Sequence, residues 1–386
     1  MKTYPLFKVH VPTEEALEQI RNVFTSGFIN EGTQVTQLTN ELREFLGAPN
    51  LVLTNSCTSA LTMALKLAGV GPGDEVVSTP MTCVATNTPI INLDAKLVWA
   101  DVDPRHGMIN PYDIMNRITE KTKAVIAVAW AGTPPNLFLL QKLCRGLDVK
   151  LILDAAHAFG AQYRGVPMHE FADFTCFSFQ AIKHFTTGDG GALVCHSDED
   201  FKRSKAMKWF GLDRDRAKDE KGDWKGQQWD VDIEEAGYKF NMNNVSAAIG
   251  LSQLKHIDKI LIVHVHNRLQ YDVAFKGFGD VQGFEAVYPV AHPFGAQSSA
   301  WVYTMLVDPE KSRLTRDELL KALNAEGIMA GVVHVPNDEY TCFKDSKVDL
   351  PGVREFSAHQ FSLPCGWWLE PADIEHIARR VKELTQ

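Results

Sequence analysis

An apolar strand candidate, a lysine and a loop rich in hydroxyl groups and glycines follow one another in the sequence Phe177-Ser-Phe-Gln-Ala-Ile-Lys183-His-Phe-Thr-Thr-Gly-Asp-Gly-Gly191. A lysine among apolar side chains is costly as an ammonium, because desolvation disfavours the charged form and lowers the pKa. A neutral amine of this kind can attack a carbonyl group and form a Schiff base. A surface lysine at a strand end is the commoner interpretation of the motif alone. The Schiff-base interpretation therefore requires that other parts of the chain provide residues suited to a Schiff-base cofactor.

Short apolar runs alternate with helical patterns on both sides of this segment. Runs without polar alternation, separated by helices, predict a mainly parallel sheet that is covered on both faces. The predicted strands are residues 51–54, 75–78, 95–100, 124–130, 151–154, 174–179 and 191–195.

The C-terminal part of the sequence has a different pattern. Strands are predicted at residues 301–307 and near 329–334, with a helix between them that starts at the capping box Thr315-Arg-Asp-Glu318. The last helix begins at Pro371, whose fixed φ suits a first helical position. The predicted fold class is therefore α/β, with a large domain over residues 1–250 and a small α+β domain over residues 251–386.

Composition excludes several classes of function. A formal net charge of −9 leaves no basic footprint for nucleic acid or an anionic membrane. The seven cysteines are scattered and form no CxxC pair, which predicts reduced thiols in a cytoplasmic protein rather than disulfides or a zinc site. The sequence shows no apolar signal core and no run long enough to span a membrane. His264 and His266 lie in a helical stretch, where positions i and i+2 face apart, so no metal site is predicted.

Two further segments place polar groups at predicted strand ends. Asn55-Ser-Cys-Thr-Ser59 joins a strand to a helix, so its hydroxyls either cap the helix or border an anion site at the open N–H groups. Leu151-Ile-Leu-Asp154 puts a carboxylate at the end of an apolar strand, where a buried aspartate needs a partner. A protonated pyridine nitrogen and a neighbouring helix are equally suitable partners. Ligands of open α/β sheets bind at the carboxyl ends of strands, which favours a ligand-binding role.

The composition changes over residues 200–228, where Lys, Arg, Asp and Trp occur together without periodicity. A solvated loop and a mobile cover over the site are equally good interpretations of this segment. As a cover, it would bring four basic residues to an anionic ligand: Lys205, Lys208, Arg214 and Arg216.

Several motifs, in their order along the chain, resemble the sugar aminotransferases of the DegT/StrS family. The motifs are Asp154-Ala-Ala-His157, Ser178-Phe-Gln-Ala-Ile-Lys183, Thr187-Gly-Asp-Gly-Gly191, Gly237-Tyr-Lys-Phe-Asn-Met-Asn243 and Ala247-Ala-Ile-Gly250. Members of this family are pyridoxal-phosphate enzymes of fold type I that act on nucleotide-linked keto sugars. The resemblance covers most of the chain and implies a seven-stranded, mainly parallel sheet flanked by helices.

The resemblance also implies roles for individual residues. Lys183 would be the catalytic residue and would form the Schiff base with pyridoxal 5'-phosphate. Asp154 would pair with the pyridine nitrogen, and His157 would lie near the ring hydroxyl. The residues implied to hold the phosphate are Thr58, Ser59 and Ser178.

Three positions depart from the family pattern. Lys239 stands where family members have an asparagine that reaches the phosphate from the other subunit of a homodimer, and a lysine would act there as a point charge. Asn241 stands where an arginine is frequent. Cys83 stands where relatives place an aromatic ring against the cofactor, and its sulfur covers less area. The residues expected to contact substrate are Lys205, Lys208, Arg214, Arg216, Asn241, Trp301 and His334.

The predicted function is transfer of an amino group from an amino acid, by resemblance L-glutamate, to a nucleotide-linked keto sugar in amino-sugar, glycan or antibiotic biosynthesis. An alternative in the same family is a dehydratase that replaces the lysine with a histidine base. Because His184 follows Lys183 directly, a shift of one position would reverse this assignment, although the spacing from Ser178 favours Lys183. A second alternative is a non-catalytic pyridoxal-phosphate regulator. Such regulators normally carry a basic DNA-binding module, for which neither end of this sequence leaves room.

Overall fold

The central sheet of the protein consists of seven short apolar segments of the chain. The structure, a computed structural model, describes residues 2–213, 232–276 and 285–386. The strands of this sheet and of two smaller sheets are β1 (Leu51–Thr54), β2 (Glu75–Ser78), β3 (Lys96–Trp99), β4 (Thr122–Val128), β5 (Lys150–Asp154), β6 (Gln162–Tyr163), β7 (Val166–Pro167), β8 (Phe174–Ser178), β9 (Gly191–Cys195), β10 (Val287–Pro289), β11 (Ala296–Gln297), β12 (Tyr303–Val307) and β13 (Gln360–Leu363). Each predicted strand of the central sheet is present, with its ends within two residues of the prediction.

The strand order of the central sheet is β1-β9-β8-β5-β4-β2-β3. Strand β9 runs antiparallel to both of its neighbours, and the other paired strands are parallel. The predicted α/β fold with a mainly parallel, seven-stranded sheet is therefore confirmed. Because β1, β4, β5 and β8 run in the same direction, their carboxyl ends lie at one edge of the sheet.

Helices cover both faces of this sheet. The α-helices of the described residues are α1 (Thr13–Ser26), α2 (Thr33–Leu46), α3 (Cys57–Leu67), α4 (Val84–Asn92), α5 (Pro111–Arg117), α6 (Leu137–Gly146), α7 (Asp198–Met207), α8 (Asn244–Leu254), α9 (Ile257–Lys276), α10 (Arg316–Ala325), α11 (Pro351–His359) and α12 (Pro371–Thr385). In the part of the chain that the structure describes, none of the helices is both long and apolar enough to cross a lipid bilayer.

Successive strand residues point to opposite faces of the sheet and enter separate cores. Val77 and Val125 pack with α2, α6 and α8 on one face. Val76 and Ile126 pack with α3, α4 and α7 on the other. Burial on both faces explains why these strands are continuous apolar runs.

The smaller C-terminal sheet has the order β10-β12-β13 and is antiparallel. The capping box at Thr315 and the helix start at Pro371 are both present. The strand predicted near residues 329–334 is wrong, because this segment pairs with β13 only through a bridge between Gly331 and Ser362. The chain then leaves the sheet edge toward the site described below. Its place in the sheet is taken by β13, which pairs with β12 along its length.

The first part of the segment 200–228 is a helix, whereas its composition predicted either a solvated loop or a mobile cover. Helix α7 runs through Met207, starting after the cap Ser197, whose side chain accepts a hydrogen bond from the N–H of Asp200. Its first turn contains three acidic residues, which favour a helix N-terminus. Residues 214–231, with Arg214 and Arg216, lie outside the described residues.

The N-terminal segment lies against the C-terminal part of the chain. The Lys2 amine is 2.5 Å from a carboxylate oxygen of Asp373, and the Trp368 indole N–H donates to the Pro5 carbonyl at 3.1 Å. Tyr4 forms a bridge with Ile328. The division into residues 1–250 and 251–386 stays a prediction, and these contacts show that the first residues pack on the second unit.

Gly191 provides a test of the packing between β9 and α3. A Cβ atom there would lie 2.6 Å from the Cys57 nitrogen and 2.8 Å from the Phe177 oxygen, both of which are backbone atoms. We expect Gly191→Ala to lower the free energy of unfolding by about 1–3 kcal/mol, measured by urea denaturation. The matched control is Gly146→Ala, since a Cβ on Gly146 meets nothing within 4 Å. Equal losses of stability in the two variants would contradict the expected clash.

Candidate active site

A cavity of about 360 Å³ lies at the carboxyl ends of the parallel strands. The residues that were predicted from the sequence and that line this cavity are Thr58, Cys83, Asp154, His157, Ser178, Lys183, Trp301 and His334. The topology explains this convergence, because Asp154 ends β5, Ser178 ends β8, and Ser56 and Thr58 follow β1.

Lys183 lies in the turn that follows β8, where its N–H donates to the Gln180 carbonyl at 2.9 Å. Its Nζ is 3.8 Å from the centroid of the Trp301 ring. The residue keeps partial exposure through the cavity mouth, but desolvation of the amine lowers the pKa of Lys183 from 10.5 to about 8, against a smaller opposing effect of Asp154. The amine is therefore far easier to deprotonate than that of an ordinary lysine.

Asp154 is buried at the end of β5 and has one hydrogen bond to each carboxylate oxygen. The Thr86 hydroxyl donates to Oδ2 at 2.7 Å, and the Ala156 N–H donates to Oδ1 at 3.0 Å. Burial raises the pKa of Asp154, while these two donors and the Lys183 charge act in the opposite direction. Each oxygen retains acceptor capacity for a further donor.

His157 and His334 form a pair of rings on the cavity wall. Their Nε2 atoms are 3.3 Å apart, and the His157 ring stacks on Trp301 with a centroid distance of 4.1 Å. Burial and the nearby Lys183 charge lower the pKa of His157 well below its usual value and that of His334 to about 3. Both rings are therefore neutral at physiological pH. The Nδ1 atom of His157 is buried and has no hydrogen-bond partner among the described residues.

The first turn of α3 is both capped and open to the cavity. The Ser56 hydroxyl is the cap and accepts from the Ser59 N–H at 3.1 Å. The Ser59 hydroxyl donates to Asn55 Oδ1 at 2.6 Å and does not line the cavity, whereas Thr58 does. Helix capping and a ligand-binding role are thus compatible in this segment.

Other predicted residues lie away from this cavity. Lys239 places its Nζ 3.4 Å from the Trp209 ring centroid and donates to Asn241 at 2.6 Å. Asn241 in turn donates to the Asn30 side chain at 3.2 Å. Lys205 and Lys208 line a second cavity, of about 230 Å³, beside α2. The reason is that α7 packs at the β1 edge of the sheet, away from the ends of β5 and β8.

His184 and the helical histidines also lie outside the cavity wall. The ring nitrogen Nε2 of His184 is 2.9 Å from the Ser299 carbonyl oxygen, and Nδ1 of His264 is 2.9 Å from that of Ala300. His266 instead contacts Gln270 at 2.7 Å. Among residues 2–213, 232–276 and 285–386, no group of three metal-ligating side chains occurs.

Among the cavity residues that were not predicted from the sequence, two contact predicted site residues directly. Thr86 holds Asp154, and its hydroxyl is also 2.8 Å from that of Thr82, so the Thr82-x-x-x-Thr86 spacing was the available signal. Phe7 stacks on Trp301 with a centroid distance of 4.8 Å and lines the cavity. No local pattern indicates Phe7, because it reaches the site only through the fold of the N-terminal segment.

Comparison with known proteins gives consistent matches over the whole chain. The model of the DegT/DnrJ/EryC1/StrS aminotransferase family matches residues 11–382. The spore coat polysaccharide biosynthesis protein SpsC of Bacillus subtilis is 29% identical over 97% of this chain and 95% of its own. The solved sugar aminotransferase CalS13 of Micromonospora echinospora is 30% identical with a TM-score of 0.87, over 98% of this chain and 99% of CalS13. Spr1654 of Streptococcus pneumoniae, solved in its PLP form, is 26% identical with a TM-score of 0.86, over 99% of this chain and 98% of Spr1654.

The matched family depends on pyridoxal 5'-phosphate (PLP), and the cavity residues fit this cofactor. PLP carries an aldehyde, a pyridine nitrogen, a ring hydroxyl and a phosphate. The cavity offers a desolvated amine on Lys183, a buried carboxylate on Asp154, an unpartnered nitrogen on His157 and the first turn of α3. Every functional group of the cofactor therefore has a chemically suitable counterpart.

The lowered pKa of Lys183 predicts how cofactor capture depends on pH. Only the neutral amine attacks the aldehyde, so the initial rate at which cofactor-free protein binds PLP should rise with pH and level off above a midpoint near the pKa of about 8. Stopped-flow absorbance in the visible range measures this rate. Because Asp154 raises the pKa of Lys183, Asp154→Asn should move the midpoint to lower pH. A midpoint near that of an ordinary lysine would contradict desolvation of the amine.

Proposed function

The chain belongs to the DegT/DnrJ/EryC1/StrS aminotransferase family, and we propose that it transfers the amino group of L-glutamate to a keto group of a nucleotide-linked sugar. As a member of this family it is a PLP-dependent transaminase of the sugar aminotransferase type. The observation that carries the proposal is the desolvated Lys183 amine, which shares a cavity with the buried Asp154.

The residues of the cavity would have different roles in the reaction. When bound, PLP supplies an electron sink for the charge that develops as a proton leaves carbon. Asp154 would keep the pyridine nitrogen protonated, and Lys183 would hold the cofactor covalently until an amino substrate displaces it. The freed Nζ of Lys183 would then take a proton from one carbon and return it to another. Trp301 and Phe7 would keep water from the amine.

The position of His184 favours amino transfer over the dehydratase alternative. A dehydratase of this family needs a histidine base where the transaminase has lysine. Lys183 lines the cavity, whereas His184 is directed to the Ser299 carbonyl and does not line it. The lysine is therefore the side chain available to the reacting atoms.

We extend the proposal to the substrate and the assembly. Trp301 and His334 would form the wall around the sugar, and Cys83 would lie on a face of the cofactor ring. Ser178 and Thr58, which line the cavity, would border the phosphate, whereas the same role for Ser59, which does not line it, stays a prediction from the sequence. The basic residues proposed for the nucleotide diphosphate are Lys205 and Lys208, which line the second cavity beside α2 rather than the cavity of Lys183, together with Arg214 and Arg216. The similarity to SpsC supports a role in polysaccharide biosynthesis, and the cysteine pattern supports a cytoplasmic location.

A homodimer with shared sites accounts for the position of Lys239. Its amine lies beside Trp209 rather than on the cavity wall of its own chain. In the family, the residue at this position reaches the phosphate of the other subunit. We therefore propose that Lys239, with Asn241 beside it, serves the cavity of a second copy.

The catalytic role of Lys183 predicts the outcome of a substrate screen. Purified protein with PLP and L-glutamate should form 2-oxoglutarate and an amino sugar with one of a panel of UDP-, dTDP- and GDP-linked keto sugars, detected by mass spectrometry. Lys183→Ala should reduce turnover by at least about 100-fold, because the covalent anchor and proton carrier is lost. Cys342→Ser, an exposed position, is the control. A deoxygenated sugar formed without 2-oxoglutarate would instead support the dehydratase.

Mixing of inactive variants tests the shared site. Lys183→Ala and Lys239→Ala should each be impaired, but subunit exchange in an equal mixture should regenerate one intact site in each mixed dimer. About a quarter of all sites would then be intact, and turnover should recover to that level. If Lys239 acts within its own chain, the mixture should remain as impaired as its components.

A further inference from the structure

The turn that carries Trp301 has a strained backbone. Ala300 is buried and has φ = 53°, in the left-handed region that a residue with a Cβ rarely adopts. The turn is paired with a second strained residue, Ala131, at φ = 52°. The Trp301 N–H donates to the Ala131 carbonyl at 3.1 Å, and the Ser299 N–H donates to the Gly132 carbonyl at 3.0 Å. Strain of this kind persists only where the surroundings hold it.

Two buried histidines contact successive carbonyl oxygens of this turn. Nε2 of His184 is 2.9 Å from the Ser299 oxygen, and Nδ1 of His264 is 2.9 Å from the Ala300 oxygen. Carbonyl oxygens only accept hydrogen bonds, so each of these nitrogens carries the proton. The two rings lie side by side with a centroid distance of 4.6 Å. Burial lowers the pKa of both rings, which are therefore neutral and donate through one nitrogen each.

The turn connects directly to the candidate catalytic amine. The Trp301 indole N–H donates to the Ile182 carbonyl at 2.8 Å, and the same ring lies 3.8 Å from Nζ of Lys183. Ile182 precedes Lys183 and His184 follows it. The three consecutive residues 182–184 therefore contact this turn through a carbonyl, an amine and an imidazole.

We propose that His184 and His264 are positioning residues, which hold the strained turn at Ala300 so that Trp301 stays over the amine of Lys183. The inference rests on the proposed role of Lys183 as the amine that binds PLP. Without the two donors, Ala300 relaxes to a negative φ and the indole leaves the amine. The Lys183 side chain then samples more conformations, and fewer of them face the cofactor aldehyde.

The test uses full-length, cofactor-free protein and measures the rate of PLP capture by visible absorbance. His264→Leu removes the donor, whereas the amide of His264→Asn can donate from a position close to that of Nδ1. We expect His264→Leu to slow capture by about tenfold or more, since misplacement of a reacting group has effects of this size. His264→Asn should restore the rate to within about threefold of the original protein. At position 184 the same difference is expected. His184→Leu should slow capture, and His184→Gln, whose amide can donate from a position close to that of Nε2, should restore it.

Relief of the backbone strain separates positioning from general packing. Glycine adopts a positive φ at no steric cost, so adding Ala300→Gly to His264→Leu should recover most of the lost rate. Ala300→Gly alone should leave capture unchanged. His266→Leu, on the same helix but bonded to Gln270, is the control and should capture PLP normally.

A further variant keeps the proposal testable if His264→Leu does not fold. Trp301→Leu leaves both histidines in place and should slow capture as His264→Leu is expected to do. The proposal is overturned if Asn and Leu at position 264 slow capture equally, if Ala300→Gly fails to recover the rate, or if Trp301→Leu captures PLP normally. Lys183→Ala tests the underlying role separately. A full visible absorbance band in that variant would refute the role of Lys183 as the amine that binds PLP, rather than the positioning role of His184 and His264.

Discussion

The desolvation of the Lys183 amine in a cavity shared with the Asp154 carboxylate is the constraint on which the site depends. Desolvation lowers the pKa of the lysine to about 8 and raises that of the aspartate, so each charged form is disfavoured by its surroundings. Each charge partly offsets this cost for the other. A ligand with an electrophilic carbon and a cationic ring nitrogen would satisfy both groups at once. PLP is such a ligand, and this is why the cavity suits it better than a neutral metabolite.

The sheet makes this arrangement possible by bringing parallel strand ends together. The polar groups at the ends of β5 and β8, and those of the first turn of α3, come from distant parts of the sequence and meet because these strands share a direction. Antiparallel β9 lets the chain return beside α3, and Gly191 permits the close approach of its backbone to Cys57 and Ser56. The two neutral imidazoles of His157 and His334 then line the cavity without adding charge beside the lysine.

The sequence was sufficient to predict those parts of the structure that depend on local pattern. The strands of the central sheet, the capping box at Thr315 and the strand-end residues Asp154 and Ser178 follow from apolar runs and from helix-cap chemistry. It failed where tertiary contacts decide the outcome. The segment 329–334 has strand-like composition, yet only Gly331 pairs with β13. Phe7 enters the cavity because contacts of Lys2 with Asp373 and of Pro5 with Trp368 hold the N-terminal segment on the C-terminal part of the chain, and no periodicity encodes these contacts.

The sequence alone leaves open whether Lys183 or the adjacent His184 is the reactive residue, and the fold resolves this ambiguity. Either residue could serve as a base, but only one of them lines the cavity, and the strained turn at Ala300 decides which. Its carbonyl oxygens accept hydrogen bonds from the His184 and His264 rings. A His184 ring turned into the cavity would leave the buried Ser299 oxygen without this donor, at a cost of about 1–3 kcal/mol. The same turn places Trp301 over Lys183, where enclosure of the amine favours its neutral form and the attraction of the ring for the ammonium acts in the opposite direction. The net effect of the surroundings is a lowered pKa of Lys183. The features that keep the histidine out of the cavity therefore also prepare the lysine for attack on a carbonyl.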